Sequence, residues 1–204
     1  MLIISYANDI QPTSHIFNQM YTLRARQFSQ RRGWRVDVSN GMEIDRFDKL
    51  NPLYICVADN AGQLLASLRL LPTTGPHMLA DTFPEVMGEA VIIRHPLIWE
   101  SSRFCVDTEA SRQFGPDGIN IVTRQLLSGL FQSAHEEGIK SIISVYDIFV
   151  ERILKRSGCS FSRLGPVVSY DNNLKTVCGL FEVSENIFPI ASENIAESKE
   201  QIVA

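Results

Sequence analysis

The sequence predicts an α/β protein, an α/β/α sandwich in which helices cover both faces of a mixed β-sheet. The expected elements run helix, hairpin, strand, helix, strand, helix, hairpin, an order that combines parallel and antiparallel neighbours in one sheet. The composition agrees, because 204 residues with 45% hydrophobic and 21% charged side chains are typical of a globular protein with a large core. We expect one domain over residues 1–183 and a polar C-terminal tail over residues 184–204.

The first element is a helix that begins at Thr13 or Ser14 and ends at Gly33. Threonine and serine can each cap a helix N-terminus, and glycine commonly follows a helix C-terminus. Arg24 and Phe28 are four residues apart, so they lie on the same side of this helix. A guanidinium beside an aromatic ring is suited to the wall of a pocket.

A long connection over residues 34–51 follows the helix. It shows neither helical nor strand periodicity, and we interpret it as a loop. Its eighteen residues exceed the ~12–15 beyond which a structureless connection is usually functional or disordered, and its aromatic residues argue against disorder.

Two apolar segments, 53–58 and 64–71, flank a polar turn and predict a β-hairpin. Arg69 lies on the second strand among apolar neighbours. Residues 72–96 are rich in proline and glycine, and they predict a second long loop with a short helical turn near residues 81–85.

The second half of the chain alternates strands and helices. In order, we expect a strand over 98–107, a helix over 117–137, a buried strand over 139–146, a helix from its cap Asp147 to Gly158, and strands near 161–170 and 174–183.

Charge and cysteine usage exclude several classes of protein. Nineteen Lys and Arg against twenty-three Asp and Glu give a net charge of -4, so bulk charge does not attract nucleic acid. No apolar run reaches the ~20 residues of a membrane span, and the N-terminus lacks the basic region of a signal peptide, so we expect a cytoplasmic protein. The cysteines show no CxxC or Cys/His spacing, which predicts reduced thiols and no metal site.

Several charged residues occur where burial is expected. Arg24, Arg69 and Arg103 have apolar neighbours, and Glu43, Asp45, Asp48 and Glu100 lie in segments that could reach them. Buried charge is costly unless it is paired, which predicts one ionic network. Taken singly, each of these residues is better interpreted as part of a surface ion pair worth ~0–1 kcal/mol, and only their coincidence favours a network.

The strand over 98–107 poses a geometric problem. Strict alternation places Glu100 and Arg103 on opposite faces of the sheet. We therefore predict a β-bulge within residues 100–104, which would turn both side chains to one side and free a backbone amide for an oxyanion.

A set of residues spread over three segments carries a family resemblance. The set is Arg24, Phe28, Trp34, Asp45, Asp48, Arg69, Phe83, Glu100 and Arg103, together with the phrase ESSRFCVD over 100–107. Their order and spacing resemble the acyl-homoserine-lactone synthases of the LuxI type, the autoinducer synthases of bacterial quorum sensing. Segments 70–76, 82–84 and 151–158 fit as well, so the match extends from residue 20 to about residue 165. The resemblance implies an N-acyltransferase (GNAT-like) fold.

The resemblance also implies a reaction. S-adenosylmethionine and an acyl thioester of acyl carrier protein would give an N-acyl-L-homoserine lactone by N-acylation and then lactonisation, with release of methylthioadenosine. S-adenosylmethionine is then a substrate and phosphopantetheine arrives on the carrier protein, so no separate cofactor is expected.

Roles follow for the matching residues. The expected catalytic set is Glu100, Arg24, Asp45, Asp48, Arg69 and Arg103, and the expected S-adenosylmethionine contacts are Phe28, Trp34, Phe83 and Arg103. An ammonium must lose a proton before it can attack, and Glu100 is the candidate base; its alternative role is to neutralise Arg69 or Arg103. Aromatic faces suit a sulfonium or an adenine ring.

The acyl chain and its carrier need further surfaces. We expect the chain between the sheet and the 117–137 helix, lined by Val122, Leu126, Ile143, Ser144 and Phe149. In the family, the position of Ser144 often holds a threonine whose hydroxyl meets a 3-oxo group. An acidic carrier protein requires a basic patch, for which the candidates are Arg152, Lys155, Arg156 and Arg163; the alternative is that Lys155 and Arg156 only complement the helix C-terminus.

Two other functions remain open from the sequence. One is an N-acyltransferase that uses acyl coenzyme A on another amine, and the other is a ligand-binding protein without turnover. Residues 112–118 resemble the pyrophosphate loop of the acetyltransferases but carry Asp117 where a small residue belongs, which favours a carrier-protein donor over coenzyme A.

Overall fold

A computed structural model describes residues 1–11, 14–170 and 173–186. The strands are β1 (Leu2–Tyr6), β2 (Val38–Ser39), β3 (Met42–Glu43), β4 (Leu53–Ala58), β5 (Leu64–Pro72), β6 (Ile98–Val106), β7 (Ser141–Asp147), β8 (Ser162–Arg163), β9 (Val168–Tyr170) and β10 (Leu174–Glu182). The α-helices are α1 (His15–Arg24), α2 (Met78–Asp81), α3 (Thr108–Ser111), α4 (Gly118–Glu136) and α5 (Ile148–Arg156).

One eight-stranded mixed sheet forms the centre of the molecule. Its order is β1-β4-β5-β6-β7-β10-β8, and β9 also pairs with β10. The β6/β7 pair is parallel, whereas the other pairs in this sheet are antiparallel. The expected combination of parallel and antiparallel neighbours is confirmed.

The parallel pair separates part-way along its length. β6 and β7 pair from Ile98 opposite Ser141 to Ser101 opposite Ser144. β6 then continues to Val106 and β7 to Asp147 without further pairing between them. A cleft therefore opens in the middle of the sheet.

Helices cover both faces of the sheet. On β4, Ile55 packs in the core cluster that contains Leu126 of α4. The neighbouring Tyr54 packs in a second cluster, with Phe17 and Met20 of α1. Successive strand residues point to opposite faces, so α1 and α4 lie on opposite sides, and the predicted sandwich is confirmed.

The predicted second half is close to the observed one. α4 and α5 match the helices expected over 117–137 and from Asp147. The Asp147 carboxylate accepts hydrogen bonds from the backbone N–H groups of Phe149 and Val150, as an N-cap does. The strand predicted near 161–170 is instead two short strands, β8 and β9.

The first half differs more from the prediction. The N-terminal strand β1, which pairs with β4, was not predicted. The first helix changes after Arg24 to a π-helical segment, Ala25–Arg31. The expected loop 34–51 contains the small β2/β3 hairpin and a 3-10 turn at Arg46–Lys49, which Asp45 caps with its side chain.

The domain extends beyond residue 183. A 3-10 turn at Val183–Glu185 follows β10, and the Asn186 side chain hydrogen-bonds to the backbone of Ser160 and of Glu182. The expected tail therefore cannot begin at 184, and the rest of it, 187–204, lies outside the described residues.

Candidate active site

A bulge in β6 shapes the mouth of the cleft. The register between β5 and β6 passes from Ser67 opposite Cys105 to Arg69 opposite Ser102, so β6 holds one extra residue there. Arg103 has a φ of 56°, in the left-handed region that non-glycine residues rarely occupy. The predicted bulge within residues 100–104 is confirmed, and both Glu100 and Arg103 line the same cavity.

Buried ion pairs link α1 to the segment after β3. Arg24, whose side chain is 1% exposed, donates from Nε to Glu43 at 2.6 Å. Its two terminal nitrogens donate to the two oxygens of Asp48 at 2.8 and 2.9 Å. Asp48 also accepts from the Tyr54 hydroxyl at 2.6 Å.

The same network continues to the sheet. Arg69 donates to both oxygens of Asp45, at 2.6 and 3.0 Å, and to Asp48 at 2.8 Å. Arg103 reaches Glu43 at 2.8 Å and Asp45 at 2.7 Å through Nη2. The expected network of Arg24, Arg69 and Arg103 with loop carboxylates therefore exists, and it is a buried cluster.

Three guanidinium groups and three carboxylates make the network neutral as a whole. Burial acts to raise the pKa of Asp48, but hydrogen bonds and charge from Arg24 and Arg69 outweigh it and hold that pKa well below its usual range. Asp48 is thus ionised, as expected for an acid beside guanidinium groups. Arg24, Asp45, Asp48 and Arg69 lie behind the cavity wall and do not line it.

Glu100 is separate from these ion pairs. Its carboxylate is fully buried and accepts hydrogen bonds from the backbone N–H groups of Met78 at 2.7 Å and Leu79 at 2.6 Å, at the start of α2. Burial raises the pKa of Glu100 to about 7, although these two donors and the arginines oppose the shift. A carboxyl with such a pKa can accept a proton near neutral pH.

A cavity of about 310 Å³ occupies the cleft between β6 and β7. Its polar lining includes Glu100, Ser102 and Arg103. Its apolar lining includes Leu127, Leu130 and Phe131 of α4, Leu154 of α5 and Phe181 of β10. A polar site therefore adjoins an apolar channel.

Aromatic rings line the mouth. The rings of Trp34, Phe83 and Tyr170 contact one another, and all three line the cavity. Phe28 lies under Arg103, whose guanidinium carbon is 5.2 Å from the ring centroid. The structure thus brings the three predicted aromatic residues, Phe28, Trp34 and Phe83, to one site with Arg103, and adds Tyr170.

The structure corrects most of the predicted channel lining. Val122 and Leu126 are fully buried in the main core, because that side of α4 packs on the sheet. Ile143 packs on the opposite face of β7 with Leu79 and Val86.

The two remaining residues predicted to line the channel are Ser144 and Phe149. Ser144 does line the cavity, but its hydroxyl donates to the Ser101 carbonyl at 2.7 Å. Phe149 is on the surface, 54% exposed, with the guanidinium groups of Arg32 and Arg152 against its ring.

The predicted basic patch is partly neutralised. Glu151 accepts from Lys155 at 2.8 Å and from Arg163 at 2.8 and 3.0 Å. Arg152 and Arg156 are exposed on the same helix, and no ion pair to either occurs within the described ranges. These two arginines therefore carry the patch's uncompensated charge.

Metal ligands, cysteines and membrane-spanning helices were the remaining features to compare with the sequence. Within them, no group of three or more His, Cys, Asp or Glu side chains could hold a metal ion. The four cysteines, Cys56, Cys105, Cys159 and Cys178, are buried and free, and burial raises the pKa of each thiol to about 12. In the same part of the chain, none of the helices is long and apolar enough to cross a bilayer.

Comparison with known proteins shows the family of this chain. The sequence model of the family described as autoinducer synthase matches residues 9–188. The acyl-homoserine-lactone synthase of Pseudomonas aeruginosa is 35% identical over 153 residues, which are 74% of this chain and 75% of that protein. The chain belongs to the autoinducer synthase family. The synthase of Rhizobium etli is a further relative, 32% identical over 98% of this chain and 93% of its own length.

Solved structures of the autoinducer synthase family share the fold. The crystal structure of the acyl-homoserine-lactone (AHL) synthase LasI is 32% identical and matches with a TM-score of 0.79, over 90% of this chain and 89% of that one. An N-acetyltransferase from Lactobacillus plantarum matches with a TM-score of 0.58 at 18% identity, which concerns the fold alone. The predicted acyltransferase fold is confirmed, and this autoinducer synthase is an acyltransferase.

Sequence reasoning missed several residues of this autoinducer synthase site. Glu43 was expected among the carboxylates near the arginines, but not as a site residue, although it binds both Arg24 and Arg103. Leu127 and Leu130 line the cavity from the same helix as the predicted Leu126, so the helical period identified the right helix but not the residues of it that reach the cavity. Tyr170 follows no motif, and only the pairing of β9 with β10 brings it to the cavity.

Proposed function

We propose that this protein makes an N-acyl-L-homoserine lactone from S-adenosylmethionine and an acyl thioester of acyl carrier protein. The observation that carries the proposal is the cavity between β6 and β7, which is lined both by the charged residues Glu100 and Arg103 and by many apolar side chains. Such a cavity suits an amino-acid substrate that reacts with a fatty acyl group.

The first step is N-acylation. Glu100 takes a proton from the methionine ammonium, directly or through one water, and its raised pKa suits this role. The freed amine forms a C–N bond at the thioester carbonyl, the C–S bond breaks, and the departing thiolate takes up a proton from the nitrogen. A backbone N–H at the β6 bulge stabilises the oxyanion.

The second step is lactonisation. A carboxylate oxygen of the acylated intermediate attacks its own γ-carbon, the bond from that carbon to the sulfonium breaks, and methylthioadenosine leaves as a neutral thioether. Arg103 holds the carboxylate in place for this attack. Within the described part of the chain its Nη1 contacts only the Met78 sulfur, at 3.0 Å, whereas its other nitrogens bind Glu43 and Asp45.

The ionic network positions Arg103. Glu43 joins Arg103 to Arg24, and Asp45 joins it to Arg69, so the guanidinium is fixed from two sides. Arg24, Arg69, Asp45 and Asp48 therefore act through Arg103 and through the fold of their loop.

Surface charge supports a carrier protein as the donor. The exposed Arg152 and Arg156 offer positive charge to an acidic partner, and Phe149 adds an apolar contact between Arg32 and Arg152. The structures of MesI and BjaI are titled coenzyme A-dependent synthases, but at 22% and 21% identity they inform on the fold alone.

One experiment tests both the reaction and the donor. The purified protein is incubated with S-adenosylmethionine and with matched acyl chains, each presented on acyl carrier protein and on coenzyme A, and the products are identified by mass. We expect an acyl-homoserine lactone and methylthioadenosine, formed faster from the carrier protein. Acylation without methylthioadenosine would indicate an N-acyltransferase on another amine, and substrate binding without any product would indicate a binding protein.

A further inference from the structure

The ring trio Trp34, Phe83 and Tyr170 forms a compact aromatic surface at the cavity mouth. The ring centroids lie 5.6 Å apart for Trp34 and Phe83, 5.1 Å for Phe83 and Tyr170, and 6.5 Å for Trp34 and Tyr170. Phe83 meets Trp34 and Tyr170 at 70° and 81°, nearly edge to face, whereas the Trp34 and Tyr170 rings are inclined by only 39°. A cation within ~6 Å of the face of Tyr170 would be in the range in which an aromatic face attracts positive charge.

Backbone hydrogen bonds fix the main chain at each of the three residues. The Trp34 N–H donates to the Phe28 carbonyl at 2.8 Å, and the Phe83 N–H donates to the Met78 carbonyl at 3.0 Å. Tyr170 pairs with Leu174 in the β9/β10 ladder. The trio is thus built from three separate parts of the chain.

Tyr170 also forms a side-chain hydrogen bond. Its hydroxyl donates to the Glu85 carboxylate at 2.7 Å, which joins β9 to the 3-10 turn Pro84–Met87 directly after Phe83. The hydroxyl is therefore engaged away from the substrate, and the part of Tyr170 offered to a ligand is its ring.

We propose that Tyr170 recognises the sulfonium charge of the substrate and distinguishes it from a neutral thioether. This inference rests on the proposed function, since it concerns the same cavity. A sulfonium carries positive charge, whereas the methylthioadenosine that leaves is uncharged. The attraction to the ring therefore exists before lactonisation and disappears with it, which favours substrate binding and product release at one surface.

The test compares two ligands that differ in this charge. S-adenosylmethionine and S-adenosylhomocysteine share the adenosine and the amino-acid group, but only the first has a methylated, positively charged sulfur. Dissociation constants for both are measured by calorimetry with the full-length protein and with the variants Tyr170→Leu and Tyr170→Phe.

The expected pattern is selective. Tyr170→Leu weakens S-adenosylmethionine binding by about threefold to tenfold and changes S-adenosylhomocysteine binding by less than about twofold. Tyr170→Phe keeps the ring and loses only the hydrogen bond to Glu85, so its dissociation constants for both ligands should stay close to those of the wild type. Retained S-adenosylhomocysteine binding also shows that the Leu variant is folded.

Three results would overturn the role of Tyr170. They are an equal loss for both ligands, which indicates stacking on adenine or simple packing; no loss for either ligand; and a loss in Tyr170→Phe as large as in Tyr170→Leu. A wild-type protein that does not bind S-adenosylmethionine would instead overturn the proposed function itself.

Discussion

At the scale of the residue, burial decides the chemistry of the carboxylates. Glu100 and Asp48 are both buried acids close to arginines, yet their pKa values shift in opposite directions. Asp48 accepts two N–H groups of Arg24 and one of Arg69, which stabilise its charge. Glu100 has only backbone donors, so the desolvation of its charge prevails. Asp48 is therefore ionised at neutral pH, whereas Glu100 can exchange a proton there.

We predict that Glu100→Gln lowers kcat/KM by ~10²–10⁴-fold, the usual contribution of a general base. Activity of the wild type should rise with pH through about 7, as the Glu100 carboxyl loses its proton, and this limb should vanish in the variant. The pH profile of kcat/KM with saturating donor measures both effects. A limb that persists in Glu100→Gln would mean that Glu100 only caps α2.

The same residue should affect stability in a pH-dependent way. Since the pKa of Glu100 is raised from 4.5 to about 7 on folding, the folded protein binds this proton more tightly than the unfolded chain. Stability therefore falls as the pH rises through that window, and Glu100→Gln removes this loss. Denaturant unfolding of both proteins across the window should show the variant gaining on the wild type as the pH rises; a constant difference would contradict the raised pKa.

For Asp48→Asn we predict a loss of ~3–5 kcal/mol in the free energy of unfolding, because the change leaves buried guanidinium groups uncompensated. The depressed pKa of Asp48 means that its contribution is present at neutral pH and is lost as the pH falls below about 3.8. Asp81→Asn is the control, since Asp81 is exposed and its pairs with Arg46 and Arg94 are 3.7 and 3.8 Å long, so it should cost less than ~1 kcal/mol. Equal losses in the two variants would reject the buried network as a source of stability.

At the scale of the element, β6 and α4 build the cleft. The bulge in β6 turns Arg103 toward Glu100, and the end of pairing at Ser101 opposite Ser144 opens the sheet. α4 packs on the sheet, and three of its core side chains, Leu127, Leu130 and Phe131, also line the cavity. Leu126 is core, whereas Leu130 faces the channel as well.

These two leucines give a matched prediction. Leu130→Ala enlarges the channel and should shift the preferred acyl chain to a longer one, as measured by product masses from a mixture of donors. Leu126→Ala should cost ~2–5 kcal/mol of stability, because it leaves a cavity in the core, without a change in the preferred chain length. A shift in both variants, or in Leu126→Ala alone, would contradict the observed orientation of α4.

For the molecule as a whole, the net charge is negative, but one region of the surface is positively charged. The formal charge is -4, yet Arg152 and Arg156 are exposed on α5, beside the residues that line the apolar end of the cavity. An acidic carrier protein that docks here would present its thioester to the cleft. Lys155 and Arg163 contribute less, since Glu151 neutralises part of their charge.

We predict that Arg152→Glu combined with Arg156→Glu raises the KM for the carrier-protein donor at least tenfold and leaves the KM for S-adenosylmethionine within about twofold. Added salt should weaken the wild type's use of this donor, because exposed charges are screened. The matched control is Lys155→Gln with Arg163→Gln, which should change the donor KM less. Equal increases in the KM of both substrates would contradict a docking role.

The class of fold and the helices and strands of the second half could be predicted without a structure, and so could most of the charged and aromatic residues that meet in the candidate site. Hydrophobic periodicity and capping residues are local signals, so the bounds predicted for α4, α5 and β6 are close to the observed ones. The bulge was predictable because strict strand alternation would place Glu100 and Arg103 on opposite faces, whereas a shared site needs both on one face. The sequence also indicated that buried arginines need carboxylates, because that cost holds in any fold.

Which side chains contact one another could be learned only from the folded structure. Glu43 joined the network because the β2/β3 hairpin returns it to α1, and Tyr170 reached Trp34 because β9 is carried by β10. The periodicity of α4 marks an apolar side but does not say which part of it meets the sheet and which meets the cavity. Such contacts arise between segments far apart in the chain, and they depend on packing geometry, which local sequence pattern does not contain.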